Sequence, residues 1–184
     1  GFQDNGNFIT MSSNPNDPWV MPLNGDGAFN AIANDDQNYY ISIQRGRIFK
    51  MNLDGNGNVN AYNRIDPLGA DTTKYLFINP LIMDKSDDNI IYFPEGNRLW
   101  RNNDLSNIPL NNSNQRISTG WFRFSDSLNN DDITALATSS HTGGMADILY
   151  FGTDNGEIYK IIDAAHTDNP FVNIIPLNMF PNGY

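Results

Sequence analysis

Two carboxylates stand in short polar loops near the start of the chain, Asp4 in "QDNG" and Asp26 in "NGDG". Two carboxyls held roughly 5–9.5 Å apart, one kept protonated by its surroundings, hydrolyse glycosidic bonds. Asp4 with Asp26 is the best such pair in the sequence. Around them fall Gln3, Asn5 and Asn24, and comparable loops further on supply Gln44, Arg45, Glu95, Asp131, Asp132, Asp154 and Asn155. Such an acidic rim suits the hydroxyls of a sugar, or a cation. The commoner use of Asp and Asn in turns is to accept the N–H groups of their own backbone. A second candidate is "DGNGN" at 54–58, where Asp54, Asn56 and Asn58 have the 1, 3, 5 spacing of a calcium loop. It then departs from that pattern. Val59 stands where the sharp turn needs glycine, and Ile65 where a bidentate glutamate belongs, so a solvated hairpin turn is the better reading and no cofactor is expected.

Other chemistries are missing at the level of residue type. There is no cysteine, hence no disulfide, cysteine metal site or thiol nucleophile. His141 and His166 stand alone in polar loops without a zinc pattern. Neither a Gly-x-Ser-x-Gly elbow nor a Walker phosphate loop occurs. The net charge of −10, from 21 acidic and 11 basic residues, argues against nucleic acid, whose phosphates call for a basic face. No apolar run approaches the ~20 residues that span a bilayer, so membrane insertion is not expected.

The candidate residues sit in loops, and the elements that must position them repeat. "NYYISIQRGRIFKMNLD" at 38–54, "NIIYFPEGNRLWRNND" at 89–104 and "DILYFGTDNGEIYKIID" at 147–163 are one hairpin written three times. They align on Gly46, Gly96 and Gly156, and on an aliphatic–aromatic–basic triad that ends at Lys50, Arg101 and Lys160. The aspartates Asp54, Asp104 and Asp163 close each copy, 50 and then 59 residues apart. That period fits a four-stranded propeller blade and exceeds a leucine-rich or ankyrin unit. An apolar inner strand precedes each hairpin (28–35, 75–84, 132–140), and a less regular outer strand follows it (59–66, 117–125, 171–180). Asn-Gly and Asp-Gly pairs recur at the turns, and no stretch shows a 3.6-residue period.

The expected fold is therefore all-β, a β-propeller of four-stranded antiparallel blades with about three complete blades and a partial blade at each end. Residues 1–20 close one blade; 21–66, 67–125 and 126–180 form three; 181–184 begin another. An open arc leaves unpaired edges, so the sequence reads as a piece of a longer chain whose remaining blades are its first partners. On such a blade the central hairpin turn and the link between blades share one face, which brings "QDNG" towards "NGDG". Trp19, Trp100, Trp121, Phe122 and Phe124 are expected to pack between blades rather than stack on sugars, Trp121 and Phe122 lying on a partly solvated outer strand. Lys50, Arg101 and Lys160 read as a solvated strand face.

These motifs resemble a known group. "GFQDNG", followed by "NGDGAFNAIANDDQNYYISIQRGRIFKMNLDGNG" and later by "ILYFGTDNGEIYKI", is similar to the sortilin-like and Asp-box (BNR) repeat propellers of secreted bacterial surface proteins. The resemblance covers nearly the whole chain. It implies an extracellular or cell-surface location, a Bacteroidetes-type source, and passage through type IX secretion machinery. It also implies a binding or display role towards a polysaccharide or a surface protein. Xyloglucanase-like glycoside hydrolases are more distant relatives, and their cleft would need the missing blades; a structural spacer of a large adhesin is the remaining reading. The full Asp-box, Ser-x-Asp-x-Gly-x-Thr-Trp, survives here only as Asp54, Asp104 and Asp163, with asparagine in place of serine in the first two copies.

Overall fold

The computed structural model describes residues 1–128, 131–139, 147–168 and 172–174, and within them the chain is all-β. Fourteen short strands form four antiparallel sheets in chain order. Sheet I pairs β1 (Asn7–Ile9) with β2 (Val20–Leu23). Sheet II is the meander β3 (Gly27–Ile32), β4 (Asn38–Ile43), β5 (Arg47–Leu53) and β6 (Val59–Arg64). Sheet III follows with β7 (Ile82–Met83), β8 (Ile91–Glu95), β9 (Arg98–Asn102) and β10 (Trp121–Ser127). Sheet IV contains β11 (Ile133–Thr138), β12 (Ile148–Thr153), β13 (Ile158–Ile162) and β14 (Val172–Ile174). Two 3₁₀ turns, Thr72–Lys74 and Leu105–Asn107, are the only helical turns among the described residues, and no helix there is long and apolar enough to cross a membrane.

Successive sheets pack on one another, and the two-residue period of a strand decides which neighbour each side chain meets. In β4 and β5, Tyr39, Ile41, Phe49 and Met51 pack towards Ile9 and Leu23 of sheet I. The alternate residues Tyr40 and Ile48 join Ile91, Phe93 and Trp100 of sheet III. From β8 and β9, Tyr92 and Leu99 meet Leu149, Phe151 and Tyr159 of sheet IV. The first strands β3, β7 and β11 adjoin in that order.

Three expectations need correction. The inner strand expected at 75–84 is reduced to Ile82–Met83. Pro80 has no N–H for a ladder, and buried Asn79 replaces strand pairing by accepting from Leu76 N (2.9 Å) and donating to Pro94 O (2.9 Å). Trp19 is 58% exposed rather than packed between sheets, whereas Trp100 and Phe124 are buried. Half-buried Trp121 reaches back across a junction, its indole donating to Ile65 O of sheet II at 2.6 Å.

Lys50 and Arg101 are the third correction. They do not lie on a solvated face; they are 3% and 4% exposed. The sequence also gave no sign of how the outer edge of β6 is covered. Residues 112–117 run along it, with Asn112 N on Tyr62 O and Arg64 N on Ser113 O, both at 2.8 Å. Covering that edge removes a site for strand addition.

Candidate functional site

The loops carrying the candidate carboxylates do meet, and their backbones hold them together. Asp4 N donates to Asp26 Oδ1 at 2.8 Å, so "QDNG" approaches "NGDG", but through a backbone N–H rather than the Asp4 carboxyl. Asp26 N in turn donates to Gln44 Oε1 (3.0 Å), and Gln44 N to Asp26 O (3.0 Å). Asn24 accepts from Gly25 N at 2.8 Å, and Asn5 donates to Gln3 O at 3.2 Å. Arg45 adopts φ 58°, and its N–H bonds Phe77 O at 2.7 Å, tying the hairpin of sheet II to the approach to sheet III.

The same device recurs once per sheet. At the position of Gln44, sheet IV has Asp154, whose Oδ1 accepts from Asp132 N (3.1 Å) while its own N donates to Asp132 O (3.0 Å). Asn155 bonds the Asp131 carboxylate beside it. Sheet III has Glu95, buried, with Oε1 on Asp71 N (3.1 Å) and Oε2 on the Trp100 indole N–H (2.6 Å). In sheets II and IV the hairpin side chain takes the N–H of the residue just before the first strand, whereas Glu95 takes one from the loop that leads towards β7. The groups from sequence form three local clusters: 3–5 with 24–26 and 44; 71 with 95; and 131–132 with 154–155.

Asp54, the first calcium candidate, is engaged in the same manner. Its Oδ1 accepts from Asn56 N and Asn58 N, each at 2.8 Å, and the Asn58 amide nitrogen, a donor, faces the carboxylate. These bonds, led by the Asn58 N–H, hold the carboxyl below its ordinary range. Among the described residues no three His, Cys, Asp or Glu side chains gather as metal ligands. His166 bonds Asp163 at 2.8 Å in its own turn, and His141 lies outside the described residues.

A further set of polar contacts lies on residues the sequence placed in solvent. Lys50 Nζ donates to Leu105 O (2.8 Å), Ile108 O (2.9 Å) and Ser106 O (3.4 Å), so each of its three donors has a carbonyl of the next sheet's turn. Burial pushes this ammonium down from its ordinary range, with the Asp35 charge acting against that. Arg101 does the same one sheet on. Its Nη1 donates to Ala164 O (2.8 Å) and Thr167 O (2.9 Å), its Nη2 reaches Asp168 (3.3 Å), and its guanidinium lies 5.3 and 5.5 Å from the Phe122 and Phe124 ring centres. Counted from the equivalent aspartates Asp104 and Asp163, the carbonyls engaged are one, two and four residues on, then one and four. Each basic residue also faces a tyrosine across the strands: Tyr40 opposite Lys50, Tyr92 opposite Arg101, Tyr150 opposite Lys160. A basic residue opposite a tyrosine in all three hairpins was the signal that could have revealed this junction.

One concave feature among the described residues is an apolar groove of about 300 Å³ between sheet I and strands β3–β4, lined by Phe8, Ile9, Trp19, Ile32, Tyr39 and Ile41 with Asn7, Thr10 and Asn30. In comparisons with known proteins, no family model matches the chain and no curated protein matches it.

Proposed function

We propose that the chain is an arc of a β-propeller that serves as a non-catalytic binding and display module at a bacterial cell surface, its contacts being with protein. The observation that carries this is the engagement of the loop carboxylates. Asp26 accepts the N–H of Asp4 in the preceding turn, and Glu95 and Asp154 each accept a backbone N–H of an incoming loop, which supports reading them as turn-fixing groups rather than an acid–base pair. The succession of four-stranded meanders with adjoining first strands supports the propeller arrangement. The resemblance to secreted Asp-box propellers supports the location, and the exposed apolar groove favours protein as the partner.

Glycan binding is the second reading, and Trp19 favours it: an exposed indole at the mouth of a groove that also holds Asn7, Thr10 and Asn30. The deciding experiment incubates the chain with xyloglucan and β-glucan, reading both reducing-sugar release and retention in affinity electrophoresis. Neither signal is expected. Hydrolysis lost in Asp26→Asn would establish a glycosidase, and retention lost in Trp19→Ala would establish the glycan module. Gln44→Ala, by contrast, is expected to cost about 1 kcal/mol of stability, the worth of a typical side-chain hydrogen bond.

A further inference from the structure

Asn-Gly pairs carry a chemistry that turn formation does not use. Glycine has no Cβ to shield its nitrogen. Once that nitrogen has lost its proton, it can attack the side-chain carbonyl of the asparagine before it. Such pairs stand among the described residues at Asn5, Asn24, Asn56 and Asn155, and each of these asparagines is exposed. Exposure therefore does not separate them; the partner of the glycine N–H does.

Gly57 N donates to Asp54 O (2.9 Å) and Gly156 N to Thr153 O (3.0 Å), so each nitrogen is committed to closing its turn. The Asn155 amide is also held, by the Asp131 carboxylate, and the Asn5 amide bonds back to Gln3 O (3.2 Å). Asn24 differs. Its own Oδ1 accepts from Gly25 N at 2.8 Å, so nucleophile and electrophile are already in contact. At Asn56 and Asn155 a hydrogen bond of the turn must open before the two can meet, and groups held near attack distance react fastest.

The chain just after residue 24 has no slack. Asp26 is bound through its N to Gln44 Oε1 (3.0 Å), through its O to Gln44 N (3.0 Å) and through its Oδ1 to Asp4 N (2.8 Å). Gly27 N bonds Phe2 O (3.0 Å), and a Cβ on Gly27 would stand 2.2 Å from Gly6 O.

We propose that Asn24 is a self-modification site, whose conversion to isoaspartate unties residues 2–6 from sheet II. The bond from Gly25 N to Asn24 Cγ forms, the Cγ–Nδ2 bond breaks, and ammonia leaves with the proton from Gly25. Water then opens the cyclic imide. Attack at the main-chain carbonyl of Asn24 breaks its bond to Gly25 and leaves isoaspartate. The backbone now runs through Cβ and Cγ and is longer by one carbon, about 1.5 Å. That carbon displaces Asp26 and Gly27 from their bonds, and the new carboxylate stands in a loop beside Asp26. The conversion is independent of what the chain binds.

The test is incubation of the folded chain in mildly alkaline buffer, with peptide mass spectrometry reading the amide-to-acid mass gain and the isoaspartate fraction at each pair. Asn24 is expected to convert at least about threefold faster than Asn56 and Asn155. In urea that lead should vanish, because local sequence alone then sets the rates. Equal rates in the folded chain overturn the proposal, as does a lead that persists in urea. Hydrogen exchange of the aged chain reads the untying. The amides of Asp4, Gly27 and Gln44 should exchange at least about tenfold faster in the isoaspartate form. Freshly purified Asn24→Asp has the added charge without the added carbon and should keep their protection. Protection unchanged in the isoaspartate form, or lost equally in Asn24→Asp, overturns the untying. Neither result bears on the hydrolysis and glycan-retention assays.

Discussion

Sheets II and IV carry a glycine, a tyrosine and a lysine at equivalent places, and the three residues end in different surroundings. In sheet II, Tyr40 is 2% exposed and Lys50 3%. A methyl group on Gly46 would stand 2.6 Å from the Tyr75 ring and 2.9 Å from Phe93. In sheet IV, Tyr150 and Lys160 are half-buried and Gly156 has nothing within 4 Å. Sheet III behaves as sheet II does: Tyr92 and Arg101 are buried, and a methyl on Gly96 would come 3.1 Å from Asp132. The unit itself is therefore indifferent to whether its outer face is core or surface. Its neighbour decides, and the same lysine is a buried three-way anchor in one place and a half-buried cation in another.

The largest effect that would break this comparison is the loss of an internal anchor. Arg101→Ala removes the donors of one buried and one partly buried carbonyl and the packing over Phe122 and Phe124, and is expected to cost about 3–4 kcal/mol in urea unfolding. Lys160→Ala should cost less than about 0.5 kcal/mol. Equal costs would mean that the junction contributes nothing. Next come the glycines. Gly46 (φ 66°) and Gly156 (φ 81°) share a left-handed backbone, so alanine at either adds about 1 kcal/mol of strain. Only at Gly46 does it also meet Tyr75 and Phe93, adding about 2 kcal/mol of overpacking.

Alkaline titration sharpens the same contrast. Burial raises the phenol pKa values of Tyr40, Tyr75 and Tyr92 well above the ordinary value of 10, with Asp charges nearby adding to it. The folded chain keeps protons there that the unfolded chain gives up above pH 10. Their contribution to stability is thus complete below pH 10 and is lost as pH rises beyond it. Lys50, with its lowered value, acts in the opposite direction below 10.5. Phenolate absorbance should accordingly show a step that coincides with the loss of near-ultraviolet circular dichroism. A smooth titration of all eight tyrosines in the folded state would contradict the burial.

The smallest effect is a gain. In sheet I the place of Lys50 and Arg101 is held by Thr10, which borders an open groove of about 430 Å³ beside Gly55, Asn56 and Asn58 of the following turn. These are the residues one, two and four after Asp54. Thr10→Lys should therefore raise stability by up to about 1 kcal/mol, visible as a higher urea midpoint.

Much of the fold was legible because turn chemistry and strand period are local. The aligned Gly46, Gly96 and Gly156 mark hairpin turns with positive φ, and the strands on either side have the order that the repeat implies. Asp54, Asp104 and Asp163 open turns as their spacing suggested. The approach of Asp4 to Asp26 was also foreseen, though only the structure shows that a backbone N–H makes the contact. What escaped was non-local. Lys50 reads as surface in its own strand, since its carbonyl partners are more than fifty residues away. Asn79 taking over a strand's hydrogen bonds depends on Pro94, across the sheet. The exposure of Trp19 depends on what stands beside sheet I, which its own neighbours in sequence do not specify.

The most direct measurement is competitive lysine labelling read by peptide mass spectrometry, on the folded chain at high dilution. The four lysines Lys50, Lys74, Lys85 and Lys160 serve as one another's references. Lys50 is expected to react at least about tenfold more slowly than Lys160, since reaction requires the junction to open. Equal rates at Lys50 and Lys160 would contradict the claim that one sheet's basic residue anchors the next sheet's turn.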